Sequence, residues 1–257
     1  MAAPSAPVQI EPGHYARKQI LSRSSLIAWS HRSRFRTARR LIESLAGNRL
    51  LDYGCGDGTF LSEVGGMFAE ATGAEIARDV IEDCRRRLSP SGRVQFVFVD
   101  DLAAPEFCGR YDVVMCMEVL EHCVDATVRM VLNDLRRLVA PGGLVIISVP
   151  IEIGPALAGK QLMRRIAGLS LKDYRYNDRY SSRELLRMLF ATRRTAIERP
   201  VFGTGAERHH SHKGFNWRAL RDEVSGSFKI QRTIFSPLGS LRGYLSSQAW
   251  FVCVPRS

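Results

Sequence analysis

No run among the 257 residues is apolar for the length a membrane-spanning helix needs. The opening stretch, Met1 to Pro12, is rich in Ala and Pro and lacks the hydrophobic segment of a secretory signal, so a cytoplasmic protein is expected. The six cysteines (Cys55, Cys84, Cys108, Cys116, Cys123, Cys253) form no CxxC pair and no disulfide-like ladder. Several fall inside apparent strands, which points to buried free thiols in a reducing compartment and against a disulfide scaffold. No internal repeat is visible. Acid is scarce relative to base: 26 Asp/Glu face 37 Lys/Arg, for a net charge of +11.

That imbalance is unevenly spread. Residues 1–49 carry 9 Lys/Arg and 2 Asp/Glu, residues 50–159 carry 9 and 17, and residues 160–218 carry 14 and 5. An acidic central unit is therefore flanked by basic segments. Such flanks suit an anionic partner, such as a phosphorylated glycan, nucleic acid or lipid head group, and equally suit a solvated Arg-rich surface without one.

The centre alternates strand and helix. Strands are expected at Arg49–Tyr53, Ala71–Ile76, Val94–Val99, Tyr111–Met117 and Leu144–Val149. Helices are expected at Thr59–Phe68, at Asp79–Leu88 (stopped by Ser89-Pro90-Ser91-Gly92), and from strand four to about Val139, where Pro141-Gly142-Gly143 turns the chain. This rhythm predicts an α/β fold with a mostly parallel sheet and helices on both faces. Tyr15 to Leu45 reads as helical, giving an N-terminal cap over residues 1–48 ahead of a catalytic domain over 49–257. Residues 151–212 show no clear strand, with helical stretches near Pro155–Ala167 and Ser182–Phe190, and read as an inserted lid or substrate platform. A helix at Trp217–Val224 and strands at Phe228–Phe235 and Ala249–Val254 close the chain as an antiparallel hairpin.

The sharpest motif is Leu50-Leu51-Asp52-Tyr53-Gly54-Cys55-Gly56-Asp57-Gly58-Thr59. An apolar strand feeds an acid and three alternating glycines, which let the backbone turn sharply and approach a ligand. Thr59 stands where a dinucleotide fingerprint needs its last glycine, which counts against an NAD enzyme. The stretch resembles motif I, D-x-G-x-G-x-G, of the class I S-adenosylmethionine (SAM)-dependent methyltransferases. Tyr111-Asp112-Val113-Val114-Met115-Cys116-Met117-Glu118-Val119-Leu120-Glu121-His122 is similar to that family's fourth strand, and Leu138-Val139-Ala140-Pro141-Gly142-Gly143-Leu144 to its entry into the fifth. The resemblance implies a Rossmann-like, seven-stranded fold. It also implies that the turn at Gly54, Gly56 and Gly58 cradles the methionine part of SAM, with Asp52 near its amino group. Glu75, at the end of strand two, is placed to accept the ribose hydroxyls, and Asp100 or Asp101 the adenine amino group. Asp101 has the alternative role of capping a turn. Met117, at the end of strand four, joins the cofactor set.

Glu118, Glu121 and His122 lie at i, i+3 and i+4, sharing a face if a helical turn begins there. Two carboxylates and an imidazole offer ligands for Mg²⁺ or Mn²⁺, with Zn²⁺ an alternative. The segment resembles those of ubiquinone-type O-methyltransferases and of small-RNA 3′-terminal 2′-O-methyltransferases. In the latter a later histidine completes a metal site, and His212, ahead of Phe215 and Trp217, matches it; His209 and His210 are substitutes. The same spacing also lines pockets that hold no metal, and then His122 or His212 becomes the general base. His14, Tyr15, Lys18 and Gln19, followed by His31 and Arg34, form a second group, of which Tyr15, Lys18, His31 or Arg34 would meet the SAM carboxylate or the acceptor, or else the helix presents a solvated basic face.

Resemblance of the Val149–Pro155, His-Lys-Gly-Phe and C-terminal segments to bacterial saccharide-modifying methyltransferases implies O-methylation of a sugar hydroxyl on a glycan or glycolipid. RNA 2′-O-methylation and quinone or phenol O-methylation are the alternatives. A silent SAM-fold protein binding an anionic partner is the reading from another class, and an intact glycine motif with Glu75 speaks against it.

Overall fold

The computed structural model describes residues 25–45, 48–88, 94–170, 180–205 and 208–256. His14, Tyr15, Lys18, Gln19 and the Ser89–Gly92 helix stop lie outside these.

The chain begins with helix α1 (Ser25–Ile42), strand β1 (Arg49–Tyr53), helix α2 (Thr59–Val64), strand β2 (Glu70–Glu75), helix α3 (Arg78–Leu88) and strand β3 (Val94–Phe98). Strand β4 (Tyr111–Met117), helix α4 (Asp125–Leu138) and strand β5 (Val139–Pro150) follow, and then helices α5 (Pro155–Ser170) and α6 (Ser182–Leu189). Two short strands, β6 (Val201–Phe202) and β7 (His209–His210), precede helix α7 (Trp217–Ser227), strand β8 (Phe228–Ser236), helix α8 (Arg242–Leu245) and strand β9 (Gln248–Pro255). No helix among the described residues is long and apolar enough to cross a membrane.

Seven strands form one sheet in the order β3-β2-β1-β4-β5-β9-β8. The first five run parallel, and β9 lies antiparallel between β5 and β8. The fold is the expected Rossmann-like one. Strand order reverses between β1 and β4, the switch point at whose carboxyl ends open α/β sheets bind their ligands.

Period-two alternation drives the layering. Leu51, Val114, Cys116 and Ile147 face one side and pack with Val128, Leu132 and Leu135 of α4 and Val224 of α7. Their neighbours Leu50, Val113, Met115 and Ile146 face the other side, with Ile42 of α1, Phe60 and Val64 of α2 and Ile81 of α3. Both faces of the parallel strands are thus dry, so only the strand ends are left for chemistry.

Two local readings are corrected. β5 starts at Val139 rather than Leu144, because Val139 pairs with Tyr111 before the register jumps to Val113 opposite Leu144. The Pro-Gly-Gly run is a bulge inside the strand, and a Cβ at Gly143 would lie 2.8 Å from the Asp112 carbonyl oxygen. The 151–212 segment does carry strand: β6 and β7 pair antiparallel, Val201 with His210 and Phe202 with His209.

Candidate functional site

The glycine turn sits at the tip of β1. Gly54, Gly56 and Gly58 all have positive φ (79°, 52° and 71°), which disfavours side chains there. At Gly54 sterics reinforce the restriction, since an added Cβ would lie 2.3 Å from Val119 Cγ2. At Gly56 nothing lies within 4 Å of that position, leaving room for a ligand to approach the backbone. Gly56 N–H donates to Glu75 Oε2 at 3.0 Å, and Ile76 N–H to Glu75 Oε1 at 2.8 Å. The β2 carboxylate therefore also holds the turn that precedes it. Asp101 Oδ2 accepts from the Phe98 N–H at 3.3 Å, the turn-capping role, and both Asp100 and Asp101 are exposed. Met117 is half-buried at the end of β4, opposite Ser148 of β5.

Asp52 is buried, and its Oδ1 has no hydrogen-bond partner among the described residues. Burial first, and then the Glu75 charge, pushes its carboxyl up to about 7, with Arg34 opposing. A cationic ligand beside it is therefore favoured once the proton leaves. Affinity for SAM is expected to rise from pH 6 to pH 8 as Asp52 ionises, and Asp52→Asn to abolish that slope. The variant is expected to weaken binding about tenfold to a hundredfold at pH 8, the worth of a hydrogen bond to a charged group, as calorimetric titration at both pH values would show. A wild-type affinity independent of pH over this range would refute it.

The second half of the site follows β4. Residues 118–123 are not the helical turn the spacing suggests, because α4 begins only at Asp125. Glu118 takes φ 57°, the only positive φ among described non-glycine residues, and the chain then tightens through His122 N–H to the Val119 carbonyl at 3.0 Å. A left-handed glutamate is costly, and such residues cluster at functional sites. Glu118 engages other groups, outside the tight cluster its neighbours form: Oε2 lies 3.0 Å from Arg34 Nη1, and Ser148 Oγ donates to Oε1 at 3.4 Å. Arg34 of α1 thus reaches the turn after β4. His31 is held below the usual histidine range by burial, against the opposing Glu118 charge.

Glu121, His122 and His212 do converge, with one ligand atom from each lying within 4.8 Å of the others. His122 Nδ1 is 3.0 Å from the His210 carbonyl oxygen, so Nδ1 carries the proton and Nε2 presents a lone pair. That Nε2 faces His212 Nε2 at 3.3 Å. Both Glu121 side-chain oxygens are buried without a hydrogen-bond partner among the described residues. Burial first, then Glu118, raises the Glu121 carboxyl well above the ordinary range, while burial and then His212 lower His122. A buried, unpartnered carboxylate beside two imidazole nitrogens is a donor set that fits a divalent cation. His209 and His210, the substitutes, stay outside it: His210 Nδ1 contacts the Pro200 carbonyl at 2.9 Å, and His209 stacks on Phe202.

Long-range contacts bring the two halves together. His210 N–H donates to the His122 carbonyl at 2.8 Å, so β7 adds to the 120–123 turn like a strand edge. Arg199 Nη2 donates to the Glu121 carbonyl and, at 3.1 Å, to the Ser211 carbonyl, with its guanidinium over Phe215. Neither Arg199 nor Glu152 was read as functional from sequence. Glu152, the acid two residues beyond the end of β5, is fully buried beside His212. Its one sequence signal was an acid between two isoleucines.

A model of the methyltransferase domain family matches residues 29–192, spanning the glycine turn, Glu75 and the Glu118–His122 turn. The chain belongs to the class I SAM-dependent methyltransferases. The ubiquinone biosynthesis O-methyltransferase of Thiobacillus denitrificans is 37% identical over 107 residues, 40% of this methyltransferase and 45% of the relative. That of Xanthomonas oryzae pv. oryzae is 33% identical over 138 residues, 51% and 56% of the two chains. The methyltransferase spans about half the length of these relatives. Among solved structures, the methyltransferase domain of bacterial CtHen1 superposes with TM-score 0.55 at 16% identity, covering 87% of this chain and 98% of that one. The magnesium protoporphyrin IX methyltransferase of Synechocystis, solved with SAH, gives 0.53 at 16% identity over 89% and 85%. At such identities the likeness is one of fold.

Proposed function

We propose that this methyltransferase transfers the SAM methyl group to a hydroxyl of a saccharide-type acceptor that carries a neighbouring oxygen. The observation that carries the reading is the buried Glu121 carboxylate, without a hydrogen-bond partner among the described residues, facing the Nε2 atoms of His122 and His212 at the strand ends. Asp52 and the Gly54–Gly58 turn hold the methionine portion of SAM, Glu75 the ribose, and Asp100 the adenine. Asp101, committed to the Phe98 amide, is the poorer adenine partner. The helical cap formed by α1 and the segment at about 151–212 close over the acceptor.

Methyl transfer from a sulfonium is an in-line displacement: the acceptor oxygen bonds the methyl carbon as the carbon–sulfur bond breaks, leaving S-adenosylhomocysteine. Alignment and exclusion of water are the enzyme's main tasks. Without a cation the hydroxyl proton passes to an imidazole Nε2, and His122 is set up for this because its Nδ1–H is engaged by the His210 carbonyl. Glu121, His122 and His212 are the residues that would hold a divalent cation, with Mn²⁺ or Mg²⁺ preferred and Zn²⁺ next. When bound, such an ion supplies Lewis acidity that lowers the pKa of a coordinated hydroxyl. Glu118 is the outer acid of the group, held by Arg34.

A second reading, methylation of a phenol or quinol, is favoured by the ubiquinone biosynthesis relatives. The deciding experiment is a metal-replete activity screen with SAM against glycans, quinols and short RNAs, repeated after chelation. Methylated glycan that disappears on chelation is the expected result. Product on quinols alone, or on RNA alone, transfers the assignment to that class, and turnover untouched by chelation removes the cation.

A further inference from the structure

Helix α1 has two unlike faces. Arg34, Phe35, Ala38 and Ile42 are buried, and Arg34 carries the ion pair to Glu118. Trp29, Arg32, Arg36, Arg39 and Arg40 are exposed. The i, i+4, i+7 spacing puts Arg32, Arg36 and Arg39 in one stripe, about 10 Å long at the helical rise. With Phe35 and with Glu63 of α2 they line a groove of about 220 Å³.

This stripe is not built like an ordinary solvated face. Such faces intersperse the two signs, so that residues one turn apart attract. Helix α1 holds five arginines and no Asp or Glu, and Arg36 has Arg32 one turn before it and Arg40 one turn after. The helix dipole favours Arg39 and Arg40 in the last turn but does nothing for Arg32 and Arg36. None of Arg32, Arg36 and Arg39 has a hydrogen bond or ion pair among the described residues. The one acid of the groove, Glu63, interacts with Arg39 and leaves the other two uncompensated. A multiply charged anion relieves such self-repulsion, and guanidinium forks match phosphate oxygens two at a time.

We propose that this groove is an anion subsite that takes the phosphate or diphosphate group of a phosphorylated saccharide, with the adjoining sugar ring against Trp29. The indole is 41% exposed, one turn before Arg32 on the same side, and offers an apolar face to a sugar ring. One exposed aromatic beside three cations suits a sugar phosphate better than a nucleic-acid strand, whose successive bases need several stacking platforms. The subsite anchors the charged end of the acceptor on the outer face of α1, while the inner face reaches the turn after β4 through Arg34. Only the identification of the carrier as a saccharide rests on the function proposed above.

The test is calorimetric titration of the metal-free full chain with inorganic pyrophosphate at low ionic strength. Titrations with a phosphorylated oligosaccharide, its dephosphorylated counterpart and a short RNA follow. Wild type is expected to bind pyrophosphate, more weakly as salt rises. Arg32→Gln/Arg36→Gln is expected to weaken that binding at least about tenfold, the worth of a hydrogen bond between charged groups. Arg36→Lys should lose part of it, because an ammonium keeps the charge without the fork. Glu63→Gln should strengthen it about threefold, the scale of one exposed charge pair. Trp29→Ala should weaken only the phosphorylated oligosaccharide, and SAM affinity should hold in every variant. Wild type that binds no pyrophosphate overturns the proposal without any variant, and so does a double variant that binds as well as wild type. RNA bound through these arginines in preference to the phosphorylated oligosaccharide overturns it in favour of a nucleic-acid interface. Phosphorylated oligosaccharide bound through the groove but never methylated removes the saccharide acceptor from the proposed function and leaves the anion subsite standing.

Discussion

His122→Asn is expected to lower turnover by about a thousandfold, within the range for loss of a general base, while changing SAM affinity less than about threefold. Asparagine is chosen because its amide reaches the position of Nδ1 and keeps the hydrogen bond to the His210 carbonyl, so the link between β7 and the 120–123 turn survives. Only Nε2 is deleted. His212→Ala removes the facing nitrogen and is expected to lose activity similarly, with the Glu152–Lys160 pair left in place. Single-turnover kinetics together with SAM titration separate the two quantities. Loss of SAM binding in step with activity would assign these rings to the cofactor pocket.

Glu121→Gln is expected to move function and stability in opposite directions. Turnover should fall at least about a hundredfold as the site loses its anionic oxygen. The metal-free variant should nevertheless be more stable than wild type at pH 8, by roughly 1–3 kcal/mol, because a buried charge or its forced protonation is removed. The sign follows from the shift: the folded-state carboxyl titrates well above its unfolded value, with burial the largest cause. Its favourable contribution is complete below the unfolded pKa of about 4.3 and disappears as pH rises through the folded one. Glutamine does not titrate, so its advantage should grow with pH. The Arg199 bond to the Glu121 main-chain carbonyl is unaffected by the change. Thermal melts at pH 5 and pH 8, with and without Mn²⁺, check the expectation. Mn²⁺ should stabilise wild type and leave the variant unmoved. A variant that melts lower than wild type at pH 8 without metal would mean that the carboxylate is paired in solution.

Much of the scaffold was legible because its signals are local. Strands β1 and β4 fell where apolar runs end at a glycine or an acid, and the positive φ values at Gly54, Gly56 and Gly58 are what alternating glycines are for. The start of β5 was misread because Pro141-Gly142-Gly143 is turn chemistry in any local reading. Only pairing with Tyr111 reveals strand on its far side. The i, i+3, i+4 spacing of Glu118, Glu121 and His122 suggested a helix, yet the chain spends a left-handed residue at Glu118 and sends that carboxylate to Arg34. Glu152 passed unnoticed because its partners, Lys160 and His212, lie 8 and 60 residues further along the chain.

By itself the sequence determined the half of the site proposed to hold SAM: a strand, a glycine turn and strand-end acids whose spacing dictates backbone shape within a few residues. The half proposed for the acceptor was decided by tertiary structure. Which of three histidines meets His122, and whether Glu118 or Glu152 stands beside them, depends on β7 docking against the turn after β4 and on Arg199 bridging the two. Such convergence is set by long-range pairing and burial, and no local spacing encodes it.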